Sequence, residues 1–171
     1  MAKTYGGRTK TMNILDTRDL YKRQCELQSD LDDLESDVSD AEDELADAKD
    51  LWDDREPSTE GELLHALEDA EKSCDKAQEA LAEWKEEYQE DLDELNQLET
   101  EVGGEWMYGE TLIPEDEFKN YAQYLAEDLH GDAIRDASWP FDHIDWEAAA
   151  EDLQMDYSSC EYQGTTYLFR G

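Results

Sequence analysis

Residues Leu27–Trp52 read LQSDLDDLESDVSDAEDELADAKDLW. An apolar residue returns at Leu27, Leu31, Leu34, Val38, Ala41, Leu45, Ala48 and Trp52, in alternating steps of four and three, and most positions between are Asp, Glu or Ser. That period is the seam of a coiled-coil helix. Leu20 extends it toward the N-terminus, where Asp16 or Thr17 is placed to cap the helix and Asp19 suits its first turn. The rhythm resumes at Leu63, Leu67, Ala70, Cys74, Ala77, Leu81, Trp84 and Tyr88, then changes step through Leu92, Leu95 and Val102 as a stutter. Between the two runs, Pro57 discourages a continuous helix, and Thr59 with Glu62 has the spacing of a capping box that starts a new one.

A chain that reverses at residues 57–58 places facing positions at a constant sum of about 115. The apolar residues obey this: Trp52 faces Leu63, Ala48 Leu67, Leu45 Ala70, Ala41 Cys74 and Val38 Ala77. Leu34 then faces Leu81, Leu31 Trp84, Leu27 Tyr88 and Leu20 Leu95. The rule lapses at Gln24 and Asp91, where the stutter falls. An intramolecular antiparallel coiled-coil hairpin over residues 16–102 is expected.

Charge sets this hairpin apart. Residues 26–101 hold 31 Asp or Glu against 5 Lys or Arg, within a chain of 171 residues and net charge −35. Arms of about 38 residues at ~1.5 Å per residue give a rod roughly 57 Å long, with about one carboxylate per 2 Å, against one phosphate per ~1.7 Å of duplex DNA. Acidic coiled coils normally mix in Lys or Arg to gain pairs four residues apart. Here Asp32-Asp33, Glu42-Asp43-Glu44 and Asp53-Asp54 accept like-charge repulsion instead, which points to selection for the charge itself.

The remainder is less one-sided: residues 1–25 carry +4 and residues 102–171 carry −13. Five Trp, nine Tyr and 38% hydrophobic residues argue against a disordered acidic chain. Such a surface repels nucleic acid and membranes and attracts basic protein surfaces, so direct nucleic-acid binding is not expected. No apolar run approaches the ~20 residues of a membrane span, and the basic start Met1–Lys10 lacks the apolar stretch of a signal peptide. Three Cys in no framework spacing suit a reducing compartment, so a cytoplasmic location is expected. Cys25 and Cys74 lie too far apart along the hairpin for a disulfide.

Three segments follow: a basic arm (1–15), the acidic hairpin (16–102) and a small α+β domain (103–171). In the last, Gly103-Gly104 ends the hairpin and Pro114 suits a first helical position. Phe118, Tyr121, Ala122, Leu125 and Leu129 then form one helical face. A second helix is expected from about Asp145 through Leu153, and residues 156–170 read as a terminal β-hairpin turning at Gln163-Gly164. The fold class is α+β, mostly α.

Few residues invite chemistry. His130 and His143 with Asp142 and Asp145 are the one group resembling a metal or acid–base site, but no zinc-protease or calcium-loop spacing accompanies them. Surface histidines are the favoured reading. Cys160 has no partner at ligand spacing and reads as a buried thiol, and Trp52 and Trp84 read as core. No enzyme activity, metal or cofactor is expected.

The string Trp139-Pro140-Phe141-Asp142-His143-Ile144-Asp145-Trp146-Glu147-Ala148-Ala149-Ala150, with Asp156-Tyr157-Ser158 and Gly164-Thr165-Thr166-Tyr167, resembles the C-terminal part of ArdA-type antirestriction proteins. Asn13-Ile14-Leu15-Asp16-Thr17-Arg18-Asp19-Leu20 is similar to the opening of small acidic phage proteins. The resemblance covers roughly residues 105–170. It implies an acidic mimic of duplex DNA that occupies the DNA groove of a restriction enzyme. The coiled coil departs from that family's succession of small α/β domains, so neither target nor contact residues carry over.

Together these readings give an expectation: a phage- or mobile-element-encoded DNA mimic, inhibiting a host restriction enzyme, CRISPR effector or other nuclease through the basic groove of that nucleic-acid-binding protein. A coiled-coil assembly adaptor, or an acidic chaperone of a basic protein, is the alternative, and a homodimer is compatible with either. The candidate contacts on the first helix are Asp30, Asp32, Asp33, Glu35, Asp37, Asp40, Glu42, Asp43, Glu44, Asp47, Asp50, Asp53 and Asp54. On the second they are Glu83, Glu86, Glu87, Glu90, Asp91, Asp93 and Glu94.

Overall fold

The computed structural model describes residues 12–131, 134 and 143–171. The basic start of the arm and Trp139–Asp142 of the ArdA-like string lie outside them. The elements are β1 (Leu15–Asp16), α1 (Thr17–Asp53), α2 (Glu60–Val102), β2 (Thr111–Pro114), α3 (Phe118–His130), α4 (Trp146–Gln154), β3 (Ser158–Tyr162) and β4 (Thr165–Phe169). Short 3-10 segments occupy Gly103–Tyr108 and Glu115–Glu117. The fold is mostly helical α+β, with α1 and α2 packed as a hairpin. Two compact units divide the chain: Arg23–Asp93, and the described residues up to Lys22 with Glu94–Gly171.

In the hairpin unit, burial follows the seam: Leu27, Leu31, Ala41, Cys74, Trp84 and Leu92 are buried, and Leu34, Val38, Leu45, Ala48, Leu63, Leu67, Ala70, Ala77, Leu81 and Tyr88 are half-buried. At the tip, the Arg55 guanidinium lies 3.9 Å over the Trp52 ring while Nη1 donates to the Trp52 carbonyl at 2.8 Å. Thr59 precedes α2, but the expected capping box does not form. Its hydroxyl donates to the Glu56 carbonyl at 3.1 Å, closing the preceding turn instead. At the stutter Gln24 is buried, and Arg23 approaches the half-buried Asp91 at 3.9 Å.

The other unit holds more strand than its sequence suggested. Its sheet has four antiparallel strands in the order β1-β2-β4-β3. Leu15 pairs with Leu112, Ile113 with Leu168 and Cys160 with Tyr167. Pro114 closes β2 opposite Tyr167 and is also the N-cap of the 3-10 segment Glu115–Glu117, one position before the expected first helical residue, because its φ of −55° serves extended backbone as well as a helix start. Ile113 and Leu168 pack with Phe118, Ala122 and Ala150 on one face of the sheet. The alternate residues Leu112, Cys160, Tyr167 and Phe169 are buried as well, as are Leu95, Leu98 and Val102 in the last turns of α2. The β3–β4 turn has Gln163 at φ 48° and Gly164 at φ 69°, the two left-handed residues of a tight hairpin.

Asp16 is the α1 cap: its Oδ1 accepts from the Arg18 amide at 3.0 Å, and Arg18 returns a two-pronged ion pair to the same carboxylate. Thr17, fully buried, donates its amide to the Glu110 carbonyl at 3.0 Å and accepts the Glu110 amide on Oγ1 at 2.7 Å. Gly109, at φ +101°, lies against Arg18, where an added Cβ would meet Nε at 2.5 Å. At α4, Asp145 caps the helix by accepting from the Glu147 and Ala148 amides.

Candidate functional site

A helix with a seven-residue repeat carries two columns beside its seam. On α1 one column is Gln28, Glu35, Glu42 and Lys49, and the other is Asp30, Asp37, Glu44 and Leu51. On α2 they are Leu64, Glu71, Gln78 and Lys85, and Ala66, Ser73, Ala80 and Glu87. Antiparallel packing sets first columns together on one flank and second columns together on the other. Observed contacts agree. Gln78 Nε2 donates to Glu42 Oε1 at 2.9 Å, and Lys85 Nζ lies 3.3 Å from Glu35 Oε1 across the first flank.

The second flank differs in kind. Its α1 column is acidic, its α2 column is small, and the next columns outward are Asp33, Asp40, Asp47 and Asp54, and Asp69, Lys76, Glu83 and Glu90. Ten of the twenty candidate carboxylates therefore share this face: Asp30, Asp33, Asp37, Asp40, Glu44, Asp47, Asp54, Glu83, Glu87 and Glu90. Asp32, Glu35, Glu42 and Asp53 lie on the first flank, and Asp43, Asp50 and Glu86 point away from the seam. Asp91, Asp93 and Glu94 fall after the stutter, outside this register. All twenty are exposed except Asp91 and Glu94, which are half-buried.

Neutralising partners are unevenly shared. Among the described residues no salt bridge reaches any of the ten carboxylates on the acidic flank, whereas Glu35 and Asp91 each have one. Gln28 donates to Asp32 and Gln89 to Asp93 along their own helices. Tyr88 donates to Glu87, which raises the phenol's pKa above its ordinary 10.0. Because Ala66 and Ser73 are small, the acidic flank is also open. A groove of about 510 Å³ runs beside the seam near the tip, with Ala48, Leu51, Leu63, Ala66 and Ala70 as its apolar floor and Glu44, Asp47 and Asp69 along its edges.

The other candidates resolve into structural positions. Trp84 is buried in the seam, its ring 5.7 Å from Tyr88, and its indole N–H has no acceptor. Cys160 is only 3% exposed, and burial pushes its thiol up to about 11. Cys25 is exposed and Cys74 buried, both as free thiols. His130 ends α3 and His143 precedes α4, both exposed, while Asp142 lies outside the described residues. Among the described residues no group of three His, Cys, Asp or Glu converges as a metal site. Nor is any helix among them long and apolar enough to cross a membrane.

Counting charge along the two helices selects carboxylates from both flanks and from the outer face, and does not distinguish the flanks. The signal was present: Ala66, Ser73 and Ala80 recur at seven-residue spacing opposite Leu51, Glu44 and Asp37. No protein-family model, curated protein or solved structure matches this chain.

Proposed function

We propose that the chain is a binding protein, not an enzyme, whose acidic hairpin stands in for duplex DNA in the basic groove of a host nucleic-acid-acting defence enzyme. The observation that supports this best is the run of carboxylates on the open flank. Asp30, Asp33, Asp37, Asp40, Glu44 and Asp47 succeed one another every three or four residues, with no salt bridge among the described residues. At ~1.5 Å per residue they stand about 5 Å apart along the axis, against ~3.4 Å between phosphates of one DNA strand. Carboxylates held on a helix keep this spacing without the ordering cost of a flexible acidic tail.

The ArdA-like segments and the phage-like opening support an origin in a phage or mobile element and a restriction enzyme, CRISPR effector or other nuclease as target. They also support action in the host cytoplasm. The experiment is affinity capture on the immobilised full chain from bacterial lysate at low salt, eluted with rising salt and, separately, with duplex DNA. The expected partner binds DNA, leaves the column as salt rises, and is displaced by the duplex. A partner that holds through about 1 M salt, where charges are screened beyond ~3 Å, or that duplex DNA does not displace, contradicts mimicry.

A further inference from the structure

Uniform charge is enough to imitate a phosphate backbone, yet the acidic flank has an apolar floor. Leu51 occupies a column that is otherwise Asp and Glu, and it is 59% exposed beside half-buried Ala48, Leu63 and Ala70. Opposite it, Ala66 and Ser73 keep the α2 side of the groove low. The α1 edge carries Glu44 and Asp47 with no salt bridge among the described residues, whereas Asp69 on the α2 edge is engaged by His65 Nδ1 at 2.9 Å and Lys72 Nζ at 3.6 Å. A groove with an aliphatic floor and one row of unpaired carboxylates recognises aliphatic side chains with cations along one side, and on regular backbone that pattern is an amphipathic helix. The groove spans Glu44–Leu51 on α1 and Leu63–Ser73 on α2, which at ~1.5 Å per residue is about 10–15 Å, or two to three helical turns. A second copy of this chain does not fit: the hairpin unit, Arg23–Asp93, carries 28 Asp or Glu against 6 Lys or Arg, and like surfaces repel.

We infer that this groove seats one helix of the partner, with small or aliphatic side chains on the floor and Lys or Arg along the α1 edge. The inference rests on the mimicry reading for the partner's charge and on the groove for its shape. It also gives mimicry a mechanism. The major groove of DNA admits an α-helix beside its phosphate rows, and here α1 supplies one acidic row, Glu44 and Asp47, beside an apolar floor. The helix that reads DNA is then the element this protein captures.

The test uses the full chain and two labelled synthetic peptides of equal positive charge. One is a two-heptad Leu/Lys amphipathic helix, and the other is an oligolysine. Affinity is read by fluorescence anisotropy at low and moderate salt. The amphipathic peptide is expected to bind at least about ten-fold more tightly. Filling the groove with neutral, helix-favouring side chains, Ala66→Gln with Ser73→Gln, is expected to erase that advantage and leave oligolysine binding unchanged. Leu51→Ser is expected to reduce the advantage, and Leu64→Ser, on the opposite flank, to leave it intact. Circular dichroism confirms that each variant keeps its helix. Equal affinity for the two peptides, or an advantage that survives groove filling, overturns the groove while leaving charge mimicry standing. Binding of either peptide that does not weaken with salt overturns mimicry itself.

Discussion

Between Arg23 and Asp93 the chain buries six hydrophobic side chains, while the unit built around the sheet buries thirteen among its described residues. The hairpin's seam is one side chain deep, and its outer columns oppose folding through like-charge repulsion. The sheet unit instead has buried layers on alternate sides of β2 and β4, a bidentate cap at Asp16, and the paired amides of Thr17 and Glu110. Their contrast separates two uses of sequence. In one, surface composition is set against stability; in the other, polar groups such as Asp16, Thr17 and Glu110 support the fold. Charge that weakens the structure carrying it is the feature most in need of a functional reason.

The contrast breaks most visibly if both cores tolerate truncation alike. Phe118→Ala removes a ring that is 2% exposed and contacts Tyr157 edge-on at 4.9 Å, so a loss of about 3–5 kcal/mol is expected on chemical denaturation. Leu45→Ala, in the half-buried seam, is expected to cost about 1–2 kcal/mol, below the range for a fully buried leucine. Comparable losses at the two sites would remove the distinction.

A pH series sharpens it next. The Cys160 thiol lies near 9.0 when unfolded and about 11 when folded. A group raised on folding stabilises while protonated, so its contribution is whole below pH 9 and disappears as pH rises through about 11. That is about 3 kcal/mol, with Tyr157 and Tyr167, also raised by burial, acting in the same direction at the upper end. Denaturation between pH 8 and 11 should show this slope, and Cys160→Ala should flatten it. A slope unaffected by that substitution would place its origin elsewhere.

Smaller again is Gly109→Ala. At φ +101°, and with Arg18 where the new methyl would stand, a loss of about 1–2 kcal/mol is expected in thermal melts. Smallest is salt. Going from low salt to about 1 M shrinks the screening length from tens of ångströms to ~3 Å, and should stabilise the hairpin by about 1 kcal/mol. A melt that ignored salt would mean that the carboxylates do not oppose folding.

How much of this was legible in the sequence depended on the range of the interaction. Helix periodicity is local, and the constant sum of facing positions turned two local patterns into one correct hairpin. Leu98, buried in the last turns of α2, was passed over because the stutter hides its phase. β1 is two residues long, and β2 ends in a proline, so neither announces itself by alternation; their pairing joins Leu15 to Leu112 and is fixed by tertiary packing. For the candidate site, composition located the charge, but charge counting is blind to azimuth. Only the register, read together with the small residues at Ala66 and Ser73, places ten of the carboxylates on one open flank.

The central claim, that this flank takes the place of DNA, is best tested by removing its charge without its helix. Asp33, Asp37, Asp40, Glu44, Asp47 and Glu83 would be changed together to Asn or Gln, with the equivalent neutralisation of Asp32, Glu35, Glu42, Asp43, Asp50 and Asp53 as the matched control. Binding of the captured DNA-binding partner is then measured for each. Single exposed carboxylates contribute a few tenths of a kcal/mol each, so any one substitution is nearly silent while six on one face add up. The expected result is loss of binding for the acidic-flank variant at unchanged helicity, with the control retaining most of it. Full binding by the acidic-flank variant, or equal loss in both, would contradict the assignment.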